Sequence, residues 1–369
     1  MASPNLEMII DGDGHIFEDP KGISDHMPPD FKERGPFSLN RLFPPLDHLH
    51  SASISTAPPG SFEPTGPDGW KTFLQDAGID ATVLYPTTAL SYGKIANNEY
   101  AVAVTRAYND WLYATYLQND NRFKGMALIP MQKPEAAVSE LRRAVEELGM
   151  VGAMLPATGL KAHLGSREYW PIYVEAERLG CCIGIHGGCH SGLGFDDMNV
   201  YSAVHGLGHP FGQMISFSGI LMNGIYDRYP NIRIGFLEGG VSWLLLCLER
   251  LHESYETHIP FDPQAEYLQL PQGENIAQYI VRQMKEGRIS VGCEGGEFAL
   301  PYAVRVCGPE AFMYSSDFPH EVNRETVRHE INEILDSDEM SATDKEAILS
   351  KNAERFYSRL QTNVQPIPI

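Results

Sequence analysis

Residues 9–19 read Ile-Ile-Asp-Gly-Asp-Gly-His-Ile-Phe-Glu-Asp. The apolar run Met8–Ile10 starts a strand, and alternation along a strand sends residues i and i+2 to the same face. Asp13 and His15 then project together as two ligand-type side chains, with Gly14 between them leaving room for a close ligand. Taken alone, the stretch reads equally well as a turn in which both side chains cap backbone groups.

Seven further runs repeat the theme: Thr82–Tyr85, Phe123–Ile129, Val151–Leu155, Cys181–Ile185, Ile232–Leu237, Ile289–Val291 and Phe312–Tyr314. Helical spacing fills the intervals. Pro134–Leu148 lines up Val138, Leu141, Val145 and Leu148, and Val241–Leu251 lines up Val241, Leu244, Leu245 and Leu248. Asn97–Leu117 places Tyr100, Val104, Ala107 and Trp111 on one face, Trp70–Ala77 is a shorter amphipathic segment, and Ser341 with Asp344 caps a helix near the C-terminus. Strands that alternate with helices imply a parallel sheet of the α/β class, and eight such units close into a (β/α)8 TIM barrel. No G-x-G-x-x-G follows a strand, which argues against an open nucleotide-binding sheet. Residues 1–369 therefore read as one barrel domain, with an insertion at about 19–69 and a smaller one at about 258–273 over its C-terminal face.

The composition agrees. The chain has 369 residues, 43% of them hydrophobic and 21% charged, and 28 Lys and Arg stand against 48 Asp and Glu for a net charge of −20. A balance that acidic argues against nucleic acid or an anionic membrane as partner. The most apolar run, Val241–Leu248, is too short to span a bilayer. The first residues show no basic start followed by an apolar core, and the six cysteines contain no C-x-x-C pair, so the expectation is a reduced, cytoplasmic protein.

Barrel active sites form at the C-terminal ends of the strands. Those ends carry Asp13/His15, Tyr85, Pro130, Pro156, His186, Glu238, Glu294 and Asp317. Asp13, His15, His186 and Asp317 make a mixed nitrogen–oxygen site for a divalent metal ion, and Asp317 is also able to take a proton from bound water. Glu238 and Glu294 add carboxylates that would hold unpaired charge unless cations neutralise them. They are expected as further ligands, with a second metal accounting for both. His209, in Gly208-His-Pro-Phe, and Glu238 are candidates for proton transfer; His320 is a candidate substrate contact. Oxygen-rich ligation favours iron or manganese over zinc. Glu18 reads as a residue supporting a ligand from behind, and His48, His50 and His190 as ordinary surface histidines. Ser315 and Ser316 lack the G-x-S-x-G elbow of a serine hydrolase.

The segments IIDGDGHIFEDP, GHPF, RIGFLEGGVSWLLLCLERL and MYSSDFPH resemble the amidohydrolase-related branch of the amidohydrolase superfamily, which includes aminocarboxymuconate-semialdehyde decarboxylase and the resorcylate-type decarboxylases. The resemblance runs from Ile9 to about Phe356 and implies one divalent metal on Asp13, His15, His186 and Asp317. Three departures accompany it. The first-strand pair is Asp-x-His where many members have His-x-His; the fourth strand ends in Pro156, with no lysine to carbamylate; and Glu238 stands where the decarboxylases have a catalytic histidine. The expected function is a metal-dependent hydrolase or decarboxylase of a small organic acid or amide, using zinc, iron or manganese. The alternative is a dinuclear iron or iron–manganese oxygenase hydroxylating a small amino or organic acid, because the chain also resembles the barrel subunits of 2-aminoisobutyrate hydroxylase. A non-catalytic barrel subunit is a third reading. A small molecule is the expected partner, within a homo- or hetero-oligomer.

Overall fold

β1 (Ile10–Ile16) pairs in parallel with β2 (Ala81–Pro86), and the pairing continues in chain order. It passes through β3 (Phe123–Leu128), β4 (Gly152–Pro156), β5 (Cys182–His186), β6 (Arg233–Leu237), β7 (Ile289–Cys293) and β8 (Phe312–Tyr314). The coordinates are a computed structural model, and they describe residues 6, 8–34, 42–49, 58–259, 267–358 and 360. The ring is completed just beyond β8, where the Asp317 N–H donates to Asp13 O (3.0 Å) and the His15 N–H donates to Phe318 O (2.7 Å). This is the (β/α)8 barrel read from the strand pattern. Among the described residues no helix is long and apolar enough to cross a membrane.

β1 extends well past its apolar start, so Asp13 and His15 lie inside the strand. Asp11 makes this possible. It is fully buried and accepts from Thr82 Oγ1 (2.7 Å), Ser316 N (2.8 Å), Ser316 Oγ (2.9 Å) and Asp13 N (3.2 Å), tying β1 to β2 and to the residues after β8. The register with β2 shifts between Asp11 and Gly14, an irregularity of the kind that re-aims side chains beside active sites. The sequence reading of Gly14 as leaving room for a ligand is corrected by the structure. A Cβ there would meet Thr82 Oγ1 and the Trp70 ring at 2.6 Å, so the missing side chain admits packing. Asp11→Ala leaves two hydroxyls and two backbone N–H groups without an acceptor; the expected cost is about 3 kcal/mol, read as a lower urea midpoint.

The helices follow the expected faces with shifted ends. They span Pro67–Ala77, Asn98–Leu112, Pro134–Glu146 and Ser242–His258, the last running well beyond Leu251. Ser341 and Asp344 form a capping box. The 22-residue helix Tyr201–Met222 has no counterpart in the sequence reading, because four glycines and Pro210 lower its propensity and blur its period. Parts of the insertions at 19–69 and 258–273 lie outside the described residues. The described part of the first holds short helices at Pro20–Asp25 and Pro29–Arg34, and the buried residues Leu42, Phe43 and Leu46.

Outside the barrel, Glu175 joins the helices Pro134–Glu146 and Trp170–Leu179. It accepts from Arg178 (2.7 and 3.0 Å) and Arg142 (2.7 Å). The Arg178 hydrogen bonds, reinforced by those of Arg142, hold its carboxyl down at about 2, against an ordinary 4.5. A depressed carboxyl pKa stabilises the fold above the unfolded value, and that stabilisation is lost as pH falls through the folded value. Glu175→Gln is therefore expected to weaken the protein at neutral pH and to flatten its loss of stability between pH 4.5 and about 2, measured by acid titration of the thermal midpoint.

Candidate metal centre

His15 and His186 face each other from opposite sides of the barrel mouth, their Nε2 atoms 3.2 Å apart. His15 Nδ1 lies 2.8 Å from Pro86 O and His186 Nδ1 lies 3.1 Å from Gly187 O. A carbonyl only accepts, so both Nδ1 atoms carry hydrogens and both Nε2 lone pairs point into the same small space. Carboxylates surround that space. Asp13 Oδ1 and Asp317 Oδ1 are each 3.5 Å from His15 Nε2, Asp13 Oδ2 is 3.4 Å from His186 Nε2, and Glu238 Oε2 is 2.9 Å from His186 Nε2 and 3.7 Å from His15 Nε2. The ligand-type atoms fall into two overlapping groups, Asp13/His15/His186 and His15/Glu238/Asp317/His320, each within 4.8 Å. Asp13 Oδ1 and Glu238 Oε2 are buried without any hydrogen-bond partner.

Two lone pairs aimed at one another among orphaned carboxylate oxygens are unfavourable unless a cation sits between them, so these residues fit a divalent metal. The electrostatics tell the same story. Burial pushes the Asp13 carboxyl up to about 6, and burial with Glu238 and Glu294 pushes Asp317 up as well. Burial opposes charge on His186, but Asp13 and Glu238 outweigh it and draw the imidazole toward its protonated form. A proton is here doing what a metal ion would do better.

Backbone strain is concentrated at the same place. Among the described residues three non-glycine positions have positive φ, and two of them are Glu238 and Asp317, both at 54°. A left-handed conformation at the ends of β6 and β8 turns both carboxylates back over the strand ends, at a cost of the order of 1 kcal/mol each.

The other sequence candidates divide. His209, on the helix Tyr201–Met222, reaches Glu238 Oε1 with Nε2 at 3.4 Å, while its Nδ1 is buried without a partner. Its ring needs Gly187, where a Cβ would lie 1.5 Å from Nδ1. Gly187→Ala should displace His209 and lower turnover about 100-fold with the circular dichroism unchanged; imidazole NMR would register the moved ring. His320 sits behind Asp317, its Nδ1 2.7 Å from Oδ1, and its Nε2 is 2.9 Å from Thr87 Oγ1. Glu294 borders a crevice with Asp13, Glu238 and Asp317 but is itself exposed and stands outside the clustered ligand atoms. Its N–H donates to Glu297, which also accepts from Val241 N and so straps the two loops together. Glu18 accepts from Thr88 N and Ala89 N, a structural duty.

One expectation needs correcting. His190 is not at the surface: it is 1% exposed, pairs with Asp47 at 3.1 Å and meets the His209 ring edge-on at 4.7 Å. The residues around 46–47, folding back, bury it, and Leu46 O accepts its backbone N–H. His48 is exposed as expected, and His50 lies outside the described residues. The site opens into a cavity of about 270 Å³ between an apolar wall of Phe17, Leu46, Phe62 and Leu90 and a polar wall that includes His209, Glu238 and His320.

A (β/α)8 barrel that gathers imidazoles and carboxylates at its strand ends defines the class of metal-centred barrel enzymes. The sequence matches the amidohydrolase family over residues 10–359, and the chain belongs to that family. It is 26% identical over 278 residues to the 2-amino-3-carboxymuconate-6-semialdehyde decarboxylase of Dictyostelium discoideum, covering 75% of this chain and 72% of the relative. It is likewise 26% identical over 308 residues to the gamma-resorcylate decarboxylase of Rhodococcus jostii, covering 77% and 85%. Among solved structures, 5-carboxyvanillate decarboxylase from Sphingomonas paucimobilis superposes with a TM-score of 0.73 at 18% identity, over 95% of this chain and 99% of that one. The 5-carboxyvanillate decarboxylase of Novosphingobium aromaticivorans, complexed with manganese and 4-hydroxy-3-methoxy-5-nitrobenzoic acid, gives 0.67 at 20% identity, over 97% and 100%. At such identities the structural likeness speaks for the fold.

Proposed function

We propose that this protein is a metal-dependent decarboxylase of a small aromatic carboxylic acid. The facing Nε2 atoms of His15 and His186, set among Asp13, Asp317 and Glu238, carry this reading. The cavity beside them offers no lysine or arginine among its described lining residues, so a substrate carboxylate finds its positive counterpart only at a cation held by Asp13, His15, His186 and Asp317. When bound, that cation supplies a grip on the carboxylate and positive charge where negative charge develops. The named relatives favour the lyase arm over hydrolysis, and the manganese of the Novosphingobium structure favours manganese over zinc.

The chain's own groups do the rest. Phe17, Leu46, Phe62 and Leu90 hold a ring and exclude water. The bond to the carboxyl carbon breaks, its electron pair stays on the ring carbon, and a proton must arrive there as CO2 leaves. Glu238 and His209 border the cavity, and because the pKa values of both are held low they pass on a proton drawn from solvent rather than store one; Thr87 and His320 orient the ring substituents. The six cysteines are free and buried, which supports a reducing, cytoplasmic setting. The exposed row Leu207, Phe211 and Ile215 on one helix supports self-association or a hetero-oligomer.

A second reading has an observation of its own. Glu238 Oε2 is orphaned inside the cluster, and the crevice lined by Asp13, Glu238, Glu294 and Asp317 would suit a second cation. Two iron or manganese ions there would support the oxygenase alternative. One experiment separates the two: manganese- and iron-loaded protein assayed on hydroxybenzoic acids with and without O2. Anaerobic CO2 release at one metal per chain supports the decarboxylase. O2-dependent turnover at two metals per chain replaces it with the oxygenase.

A further inference from the structure

We propose that His190 is a positioning residue: its ring, set by Asp47, buttresses the imidazole of His209 in the orientation that reaches Glu238. His209 is half of the pair proposed above to pass the proton, and only the effect on turnover rests on that reading.

His209 has little of its own to fix it. Its Nε2 meets Glu238 Oε1 at 3.4 Å, long for a hydrogen bond, and its Nδ1 is buried without a partner. Packing has to hold the ring. Gly187 closes one side, where even a Cβ would overlap Nδ1. Of the rings around it among the described residues, His190 is the nearest, with 4.7 Å between centroids and 88° between planes. His205 and His186 follow at 6.1 and 6.4 Å.

His190 is itself held from several sides. A Cβ on Gly208 would stand 2.6 Å from its Cγ, Cδ2 and Cε1 alike, so the face of the imidazole covers the backbone just before His209. Its Nδ1 lies 3.1 Å from Asp47 Oδ2, and Asp47 Oδ1 accepts from Leu49 N–H at 2.7 Å. Burial outweighs the Asp47 carboxylate and draws the imidazole toward its neutral form. With Nδ1–H given to Asp47, Nε2 is left buried without a partner, so that end of the ring acts by contact alone. The backbone N–H of His190 donates to Leu46 O (2.9 Å), and Leu46 walls the cavity while the His190 side chain does not line it. Adjacent residues of the first insertion thus supply a wall for the cavity and, through His190, the support of His209.

Two reciprocal substitutions test this in the manganese-loaded protein, by crystal structure and by steady-state decarboxylation of hydroxybenzoic acids. His190→Asn keeps a side-chain N–H for Asp47 and removes most of the ring. The expected result is a thermal midpoint near wild type and a His209 ring turned away from Glu238. Its kcat should fall about 10- to 100-fold with KM within about threefold, because Leu46 stays in place. His190→Phe keeps a ring on Gly208 and forfeits the bond to Asp47. It should lower the midpoint, leave His209 in place and hold kcat within about fivefold of wild type. A merely structural role for His190 reverses that order, and a proton relay through it makes both variants equally slow. Either result overturns the proposal, as does an unmoved His209 ring in the His190→Asn crystal. If the wild-type protein releases CO2 from no hydroxybenzoic acid, the decarboxylase reading falls, and the His209 orientations in the two crystal structures decide this proposal alone.

Discussion

Asp317→Asn is expected to purify folded, to retain little metal and to lose at least about 1,000-fold in turnover. The substitution keeps the shape of the side chain, and asparagine tolerates the left-handed backbone that Asp317 adopts. Its amide oxygen still accepts from His320 Nδ1–H, and the backbone N–H still reaches Asp13 O. Only the charge is lost. Removing a group that merely supports a metal ligand costs 10- to 100-fold in affinity or activity, so neutralising a proposed ligand should exceed that. Metal per chain after dialysis, read with the thermal midpoint of the apo form, checks the result. A variant that keeps full metal occupancy and wild-type turnover would remove Asp317 from the centre.

Glu238→Gln has the second largest expected effect, and it discriminates between the two proposed chemistries. Glu238 meets His186 at 2.9 Å and His209 at 3.4 Å. His209 and His186 outweigh the burial of its carboxyl and hold it well below the usual range. If Glu238 carries the proton in a one-metal decarboxylase, glutamine leaves one metal per chain and lowers turnover by about 100- to 10,000-fold. If it bridges two cations, the variant drops from two metals per chain to one. Metal analysis alongside the rate separates the cases, and wild-type values for both would contradict either role.

Much of this was legible in the sequence. Period-two spacing placed Asp13 with His15, and the apolar runs before His186 and Asp317 marked strand ends that a closed barrel must bring to one mouth. What the pattern could not carry were pairings between distant residues. Asp11 looked like an ordinary polar residue after an apolar run; its partners Thr82 and Ser316 are 71 and 305 residues away. His190 depends for its burial on Asp47, 143 residues earlier. Gly14 suggested space for a ligand because the sequence could not show Trp70 and Thr82 arriving over it. The helix carrying His209 was hidden by its glycines and proline, which weaken propensity where Gly208 packs on His190 and Gly212 on Ala157.

Anomalous diffraction from crystals of manganese-loaded protein would examine the metal centre itself. The expected result is a manganese peak within bonding distance of Asp13, His15, His186 and Asp317, between the two facing Nε2 atoms. A fully loaded protein whose manganese lies elsewhere, with those four side chains free of it, would contradict the account.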